Sequence, residues 1–164
     1  MQSNNVLKHA AVGAAAGLVG TFVIHALRAI DSKYFPKGSP PIRRDPGEFM
    51  VHQSERALPA RTMQKIPESV EHAAAKTLGI GYGMTFGALY GAARGQGGSI
   101  GVDGPALGLA CWAAGYLGWL PATGLMPPVW RQTPSQAIIP VVEHALYGVA
   151  TTAAYDAMHH FLRD

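Results

Sequence analysis

The chain has 164 residues, of which only 14% are charged, and its formal net charge is +3 at pH 7. Soluble domains usually carry charges on about a quarter of their residues, so a water-exposed surface on this chain would be unusually poor in charge. The chain also contains 20 glycines, and its mean hydropathy of +0.10 averages very apolar segments with a long polar one. This composition favours helices packed in lipid over a soluble globular domain.

Most of the positive charge lies between Arg28 and Lys76, beside or between the apolar segments. Nucleic-acid-binding proteins usually carry a basic stripe with interleaved aromatic residues, which this sequence lacks. We therefore predict membrane lipids as partners and no nucleic acid. Cys111 is the single cysteine and lies in an apolar run, which excludes a disulfide framework and a cysteine metal cluster.

Four apolar segments predict an all-α integral membrane four-helix bundle that forms a single domain. The first contains an uncharged run from Ala10 to Leu27, about 27 Å long at the α-helical rise and so close to the thickness of the hydrocarbon core. A cleaved signal peptide is the competing interpretation, but the run is long for one, and we favour a retained helix. The predicted helices span about residues 10–30, 69–93, 104–121 and 136–161.

Residues 31–66 form a long polar loop in this prediction. Their prolines, charges and Tyr34-Phe35 indicate an extended surface segment with a short interfacial helix near Val51–Leu58. We favour a solvated connection over a partner-docking arm. Because basic residues concentrate on this side of the predicted membrane, the positive-inside rule places the loop in the cytoplasm and both termini outside.

Regularly spaced glycines indicate how the helices would pack. The hydrophobic effect does not drive helices together in lipid, so close backbone approach and hydrogen bonds must do so. Glycine recurs at every fourth residue along the second predicted helix, and the third contains a pair at the same spacing. The predicted packing residues are Gly79, Gly83, Gly87, Gly91, Gly104 and Gly108.

The motif Val-Glu-His-Ala opens both the second and the fourth predicted helices, at Val70–Ala73 and Val142–Ala145. Because these helices run in the same direction, both Glu-His pairs should lie near one membrane face, as in a parallel repeat of two helical hairpins. Ionisable groups at membrane depth are often functional and could form a proton relay, a pH-sensitive contact or a metal site. An interfacial structural role near the helix ends is the favoured alternative. The candidate residues are Glu71, His72, Glu143 and His144.

The C-terminal half carries a series of motifs between roughly Phe86 and Tyr155. They are Tyr90-Gly91, Trp112, Gly124-Leu125 followed by Pro127-Pro128, and His144-Ala145-Leu146-Tyr147-Gly148. In these motifs the chain resembles the YagU-like family of bacterial inner-membrane proteins. The resemblance implies a multi-pass protein of the bacterial inner (cytoplasmic) membrane and brings no enzyme chemistry. Some members of that family have an acidic residue in the third helix, where this chain has Tyr116-Leu117-Gly118-Trp119.

No set of residues in the sequence predicts a catalytic site, and nothing in it calls for a cofactor. The leading interpretation is a small non-enzymatic membrane protein that acts as an accessory, scaffold or stress-response component. Such a chain would work as a homo-oligomer or as a subunit of a larger membrane complex. The first alternative is a proton- or ion-handling transporter that uses the Glu-His pairs. The second is a metal- or haem-binding electron-transfer subunit.

Overall fold

The computed structural model describes residues 2–55, 67–95 and 98–161, and these residues contain helices and no strand. The all-α class predicted from the sequence is therefore confirmed. Most of the described chain belongs to five helices, which are α1 (Gln2–Tyr34), α2 (Pro46–Glu55), α3 (Glu68–Arg94), α4 (Ile100–Trp112) and α5 (Pro134–Phe161).

Among the described residues, two stretches are long and apolar enough to cross a membrane by length and composition, namely Asn5–Tyr34 in α1 and Pro134–His160 in α5. Only 33% and 39% of their respective 18-residue apolar windows are buried inside the protein. A helix in the core of a soluble protein buries most of its apolar residues, whereas these two helices leave many of theirs facing outward.

The long helices pack in antiparallel pairs. α1 contacts both α3 and α5, and α4 packs against α5. Gly13, early in α1, lies against Gly87 late in α3, and Gly108 of α4 lies against His144 of α5. The α1–α3 and α4–α5 pairs are thus joined through the contact between α1 and α5. We call the end formed by residues 35–55 and 121–134 the loop end, and the end near His9, Gly95 and Ser99 the terminal end.

Glycines bring the helix backbones into direct contact. A Cβ atom built on Gly87 would lie 2.8 Å from the Gly17 Cα, and one on Gly104 would lie 2.8 Å from the Val149 Cα. Real Cβ atoms essentially never approach so closely, so these contacts require glycine. A Cβ on any of the other predicted packing glycines except Gly79 would also overlap atoms of a neighbouring helix; these are Gly83, Gly91 and Gly108.

Gly79 differs from the other predicted packing glycines. A Cβ at this position would meet no atom of the described residues within 4 Å, and Gly79 is exposed. Positions four residues apart turn about 40° further around an α-helix at each step, so Gly79 is rotated about 120° from Gly91. The rotation carries it off the face that meets α1. Conversely, Gly148 lies against Gly108 and was not in the predicted set.

α1 is longer at both ends than the expected range 10–30. Hydropathy predicts only the extent of the apolar run, whereas the helix continues beyond this run until it reaches a residue that disfavours helical backbone. At the C-terminal end that residue is Pro36, because proline disfavours helical backbone in the residue before it, which is Phe35. Arg28 and Asp31 therefore lie within the helix, one turn apart.

α4 starts at Ile100, four residues before the expected start, so Pro105 lies inside the helix rather than in its first turn. Beyond Trp112 the chain continues as a π-helical stretch, Ala113–Trp119, and a last turn, Leu120–Ala122. The backbone leaves helical geometry at Gly118, with φ −97° and ψ −109°. Pro121 accounts for this kink because its ring crowds the preceding turn and it has no N–H to donate.

The segment 35–55 packs across the loop end, so it is not an extended, merely solvated connection. The Arg43 N–H donates to the Leu125 carbonyl at 2.9 Å, and Gly47 of α2 lies against the backbone of Ala75 in α3. Asp45 caps α2 by accepting a hydrogen bond from the Glu48 N–H at 3.0 Å. The expected interfacial helix near Val51–Leu58 falls partly in α2, and its remainder lies outside the described residues.

Replacing Gly87 with leucine should destabilise the protein by at least about 3 kcal/mol, because the new side chain overlaps the backbone of α1. Gly79→Leu is the matched control on the same helix and should change the free energy of unfolding by about 1 kcal/mol or less. Unfolding in detergent micelles, followed by circular dichroism, measures both variants. Equal stability of the two variants would contradict the glycine contact.

Candidate functional site

The Glu-His pair of α5 is buried in the loop-end half of the protein. Glu143 is 4% exposed and His144 is 6% exposed. The Arg28 guanidinium of α1 lies next to the carboxylate, with Nε 3.4 Å from Glu143 Oε2. A buried carboxylate loses its hydration, so Arg28 supplies the opposite charge that Glu143 needs in this position.

Two further polar groups lie beside this ion pair. The Arg28 Nη2 donates towards the Tyr116 hydroxyl at 3.5 Å. Asp31 lies one turn further along the same face of α1 and interacts electrostatically with Glu143. Glu143 therefore lies beside one guanidinium and a second carboxylate, and the same guanidinium contacts a phenol; these groups come from α1, α5 and the π-helical stretch that follows α4.

The geometry of His144 is set by its neighbours. Its Nδ1 lies 2.6 Å from the Pro140 carbonyl, which can only accept a hydrogen bond, so Nδ1 carries the hydrogen. In the neutral ring, Nε2 then holds the lone pair. The Tyr116 ring packs edge-on at 5.5 Å between centroids. His144 is thus held in one orientation beside the Arg28–Glu143 pair.

The Glu-His pair of α3 has different surroundings. His72 is exposed, and its Nδ1 lies 3.2 Å from Glu48 Oε1 of α2. These two residues line an open cleft of about 150 Å³ together with Val51, His52 and Glu71. The packing of α2 on α3 therefore supplies the partner of His72.

The structure does not bring the four candidate residues into one site. Glu143 pairs with Arg28, whereas His72 pairs with Glu48. Within residues 2–55, 67–95 and 98–161, no group of three or more His, Cys, Asp or Glu side chains is placed to hold a metal ion. The repeated motif thus gives one buried pair and one pair at the surface, in which Glu71 is half-buried and His72 is exposed.

A second polar cluster lies at the terminal end. The Tyr155 hydroxyl donates to the Gly95 carbonyl, and His9 Nδ1 lies 2.9 Å from the same hydroxyl, so His9 is the donor in that contact. The His159 ring stacks on His9 with 5.0 Å between centroids. These contacts join the N-terminal part of α1, the C-terminal part of α5 and the turn after α3.

An ion pair between Arg94 and Asp103 also holds the terminal end together. It links the last residue of α3 to the buried carboxylate in the first turns of α4. This pair was not predicted from the sequence. The signal that could have found it is the small number of residues between Arg94 and the start of α4, which keeps the ends of α3 and α4 close together.

No protein-family model matches this chain, and no curated protein or solved structure matches it either. The YagU-like resemblance therefore stays a prediction based on its motifs. Two residues of those motifs have structural roles here. The Tyr147 hydroxyl donates to the Gly83 carbonyl at 2.6 Å, and Gly148 lies against Gly108.

Replacing Arg28 with methionine should destabilise the protein by about 2 kcal/mol, because Glu143 is left without its counter-charge; the value is below that of fully buried pairs because Arg28 is partly exposed. The double variant Arg28→Met/Glu143→Met should recover most of this loss. Unfolding in detergent measures the free energy of unfolding of the unaltered protein, the two single variants and the double variant. Arg43→Met is the control for removing an exposed arginine. Additive effects of the two substitutions would contradict the pairing.

Proposed function

We propose that this chain is a small, non-enzymatic, multi-pass protein of the bacterial inner membrane that acts as an accessory, scaffold or stress-response component. The observation that carries the proposal is the distribution of polarity. Several ionisable and polar side chains are buried between the long helices, while many large apolar side chains of these helices face outward.

Exposed apolar side chains occur on all four long helices. They include Val19 and Phe22 of α1, Leu78 and Leu89 of α3, Val102 and Leu109 of α4, and Val142 and Leu146 of α5. Buried polar side chains include Thr21, Asp103, Glu143, His144, Thr151, Thr152 and His159. Large apolar side chains exposed on every long helix are costly in water, whereas lipid chains cover them without cost.

Lengths support four crossings rather than two. α3 has 27 residues, or about 40 Å at the α-helical rise, and its residues 77–93 carry no charge. α4 and its continuation to Ala122 would extend about 35 Å at the α-helical rise, which is enough to cross the hydrocarbon core. Three glycines of α3, Gly83, Gly87 and Gly91, contribute packing contacts instead of apolar surface.

The accessory role is supported by how the buried polar groups are used. Arg94 pairs with Asp103, and Tyr147 donates its hydroxyl to the Gly83 carbonyl, so these groups join helices to one another. The resemblance to YagU-like proteins supports the bacterial inner-membrane location. The expected partners are membrane lipids and either a second copy of the chain or a larger membrane complex.

An accessory subunit should be recovered with its partner. Solubilised gently from its native membranes, the chain should have a larger mass in native mass spectrometry than the same chain expressed alone. Extraction of the chain from membranes by alkaline carbonate would contradict the membrane location. Equal masses in the two samples would contradict the accessory-subunit role and favour a self-contained module.

Proton or ion handling is the second candidate function, and the cluster of Arg28, Asp31 and Glu143 favours it. Ionisable side chains within membrane-spanning helices often mark proton or ion pathways. The buried carboxylate, its nearby second carboxylate and the lone pair on His144 Nε2 provide groups that can exchange protons. The surface pair Glu71–His72 would then have no part in the pathway.

A transporter of this kind should lose proton flux when Glu143 is replaced with glutamine and keep it when Glu71 is replaced in the same way. Proteoliposomes with an imposed pH gradient and an internal pH-sensitive dye measure the flux. The absence of flux above that of empty liposomes in the unaltered protein would exclude proton transport.

A further inference from the structure

We propose that the loop end carries a binding surface for anionic phospholipid headgroups. The inference rests on the proposed membrane location, and it adds the chemistry of the lipid partner and the end of the protein that meets it. The residues of this cationic surface are Lys33, Lys37, Arg43, Arg44 and Arg131, and all five are exposed.

These cations come from three pieces of the chain that the fold brings to one end. Lys33 lies in the last turn of α1, where the helix ends. The Lys37 carbonyl accepts a hydrogen bond from the Ser135 hydroxyl at 3.5 Å, at the start of α5 and one turn beyond Arg131. The segment that contains Arg43 is held at the same end by its backbone hydrogen bond to Leu125.

Three carboxylates at this end are engaged with other groups. Glu143 pairs with Arg28, Glu48 pairs with His72, and Asp45 caps the start of α2. Among the described residues, none of the five cations of the surface forms an ion pair with Asp or Glu. Their positive charge is therefore directed to solvent, where it complements an anionic partner.

Exposed aromatic residues lie directly beside the cations. Tyr34 and Phe35 follow Lys33, whose ammonium lies 5.3 Å from the centre of the Tyr34 ring. Trp130 precedes Arg131 and is 78% exposed. Aromatic rings of this kind are enriched at the level of lipid headgroups, where one side of the ring meets hydrocarbon and the other meets water.

Apolar side chains follow one turn further into the helices. Ile30 of α1 and Ile138 of α5 are both exposed. Cations and aromatic rings therefore lie together at the end of the protein, and apolar side chains follow further inward, which is the order from the headgroup region to the hydrocarbon core. This order commits the surface to a lipid leaflet, because a soluble anionic partner would leave the aromatic and apolar rows in water.

The terminal end has a different charge pattern. Its described basic side chains are Lys8, which is exposed, and Arg94, which pairs with Asp103. Anionic lipids should therefore be concentrated in the leaflet that meets the loop end. This difference between the ends also supplies the control for the experiment.

The experiment uses the full chain in bilayer nanodiscs that contain equal amounts of phosphatidylglycerol and phosphatidylethanolamine. Native mass spectrometry then measures the ratio of the two lipids that stay bound to the protein. Each basic side chain near an anionic surface favours binding about fivefold, so the unaltered protein should retain phosphatidylglycerol at least about tenfold over phosphatidylethanolamine. High salt should lower this preference.

The variant with all five cations replaced, K33Q/K37Q/R43Q/R44Q/R131Q, should bind both lipids equally, whereas K8Q should keep the preference. Circular dichroism checks that each variant is helical. An unchanged preference for phosphatidylglycerol in the variant with all five substitutions would overturn the cationic surface. A loss of this preference in K8Q equal to that in the five-substitution variant would also overturn it. Equal binding of both lipids by the unaltered protein would also overturn it and leave the membrane location intact. A protein that is soluble without detergent and retains neither lipid would instead overturn the membrane location.

Discussion

Direct contact between helix backbones at glycine positions determines how the rest of this protein is arranged. Gly17 and Gly87 bring α1 and α3 together, and Gly108 and Gly148 do the same for α4 and α5. Because backbones approach so closely, polar side chains on one helix reach carbonyl groups on the next. The hydrogen bond from Tyr147 to the Gly83 carbonyl depends on this approach, since a carbonyl engaged in a helix keeps a second lone pair that can accept it.

The buried charges belong to the same framework. The Arg28–Glu143 pair lies between α1 and α5, which are the two helices that join the antiparallel pairs. An unpaired carboxylate would be costly in that position, so the pair fixes how α1 and α5 face each other. An ion pair that fixes two helices in this way is compatible with a structural role and with proton exchange. Substitutions at Glu143 distinguish these two roles.

Features that depend on local spacing could be predicted from the sequence. The glycines at intervals of four predict a contact face on α3, and Gly83, Gly87 and Gly91 lie on that face. Gly79 does not, because each step of four residues rotates the position about 40° around the helix axis. The all-helical class followed from the apolar segments, and the order of the long helices followed from the turns between them.

Features that depend on distant partners could not be predicted. Arg28 and Glu143 are 115 residues apart in the chain, and nothing in either local sequence identifies the other. The partner of His72 is Glu48, in a region whose prolines and charges indicated an extended loop. Such contacts depend on which faces the helices turn towards one another, and a single sequence gives those faces only approximately.

The number of membrane crossings tests the central claim most directly, namely that the four long helices turn their apolar faces to lipid. Single cysteines at Ser39, Ser99 and Thr133, which are all exposed, can be introduced into a Cys111→Ser background and labelled with a membrane-impermeant maleimide. Four crossings predict that Ser39→Cys and Thr133→Cys react from one side of the membrane and Ser99→Cys from the other. Reaction of all three from the same side would contradict the account.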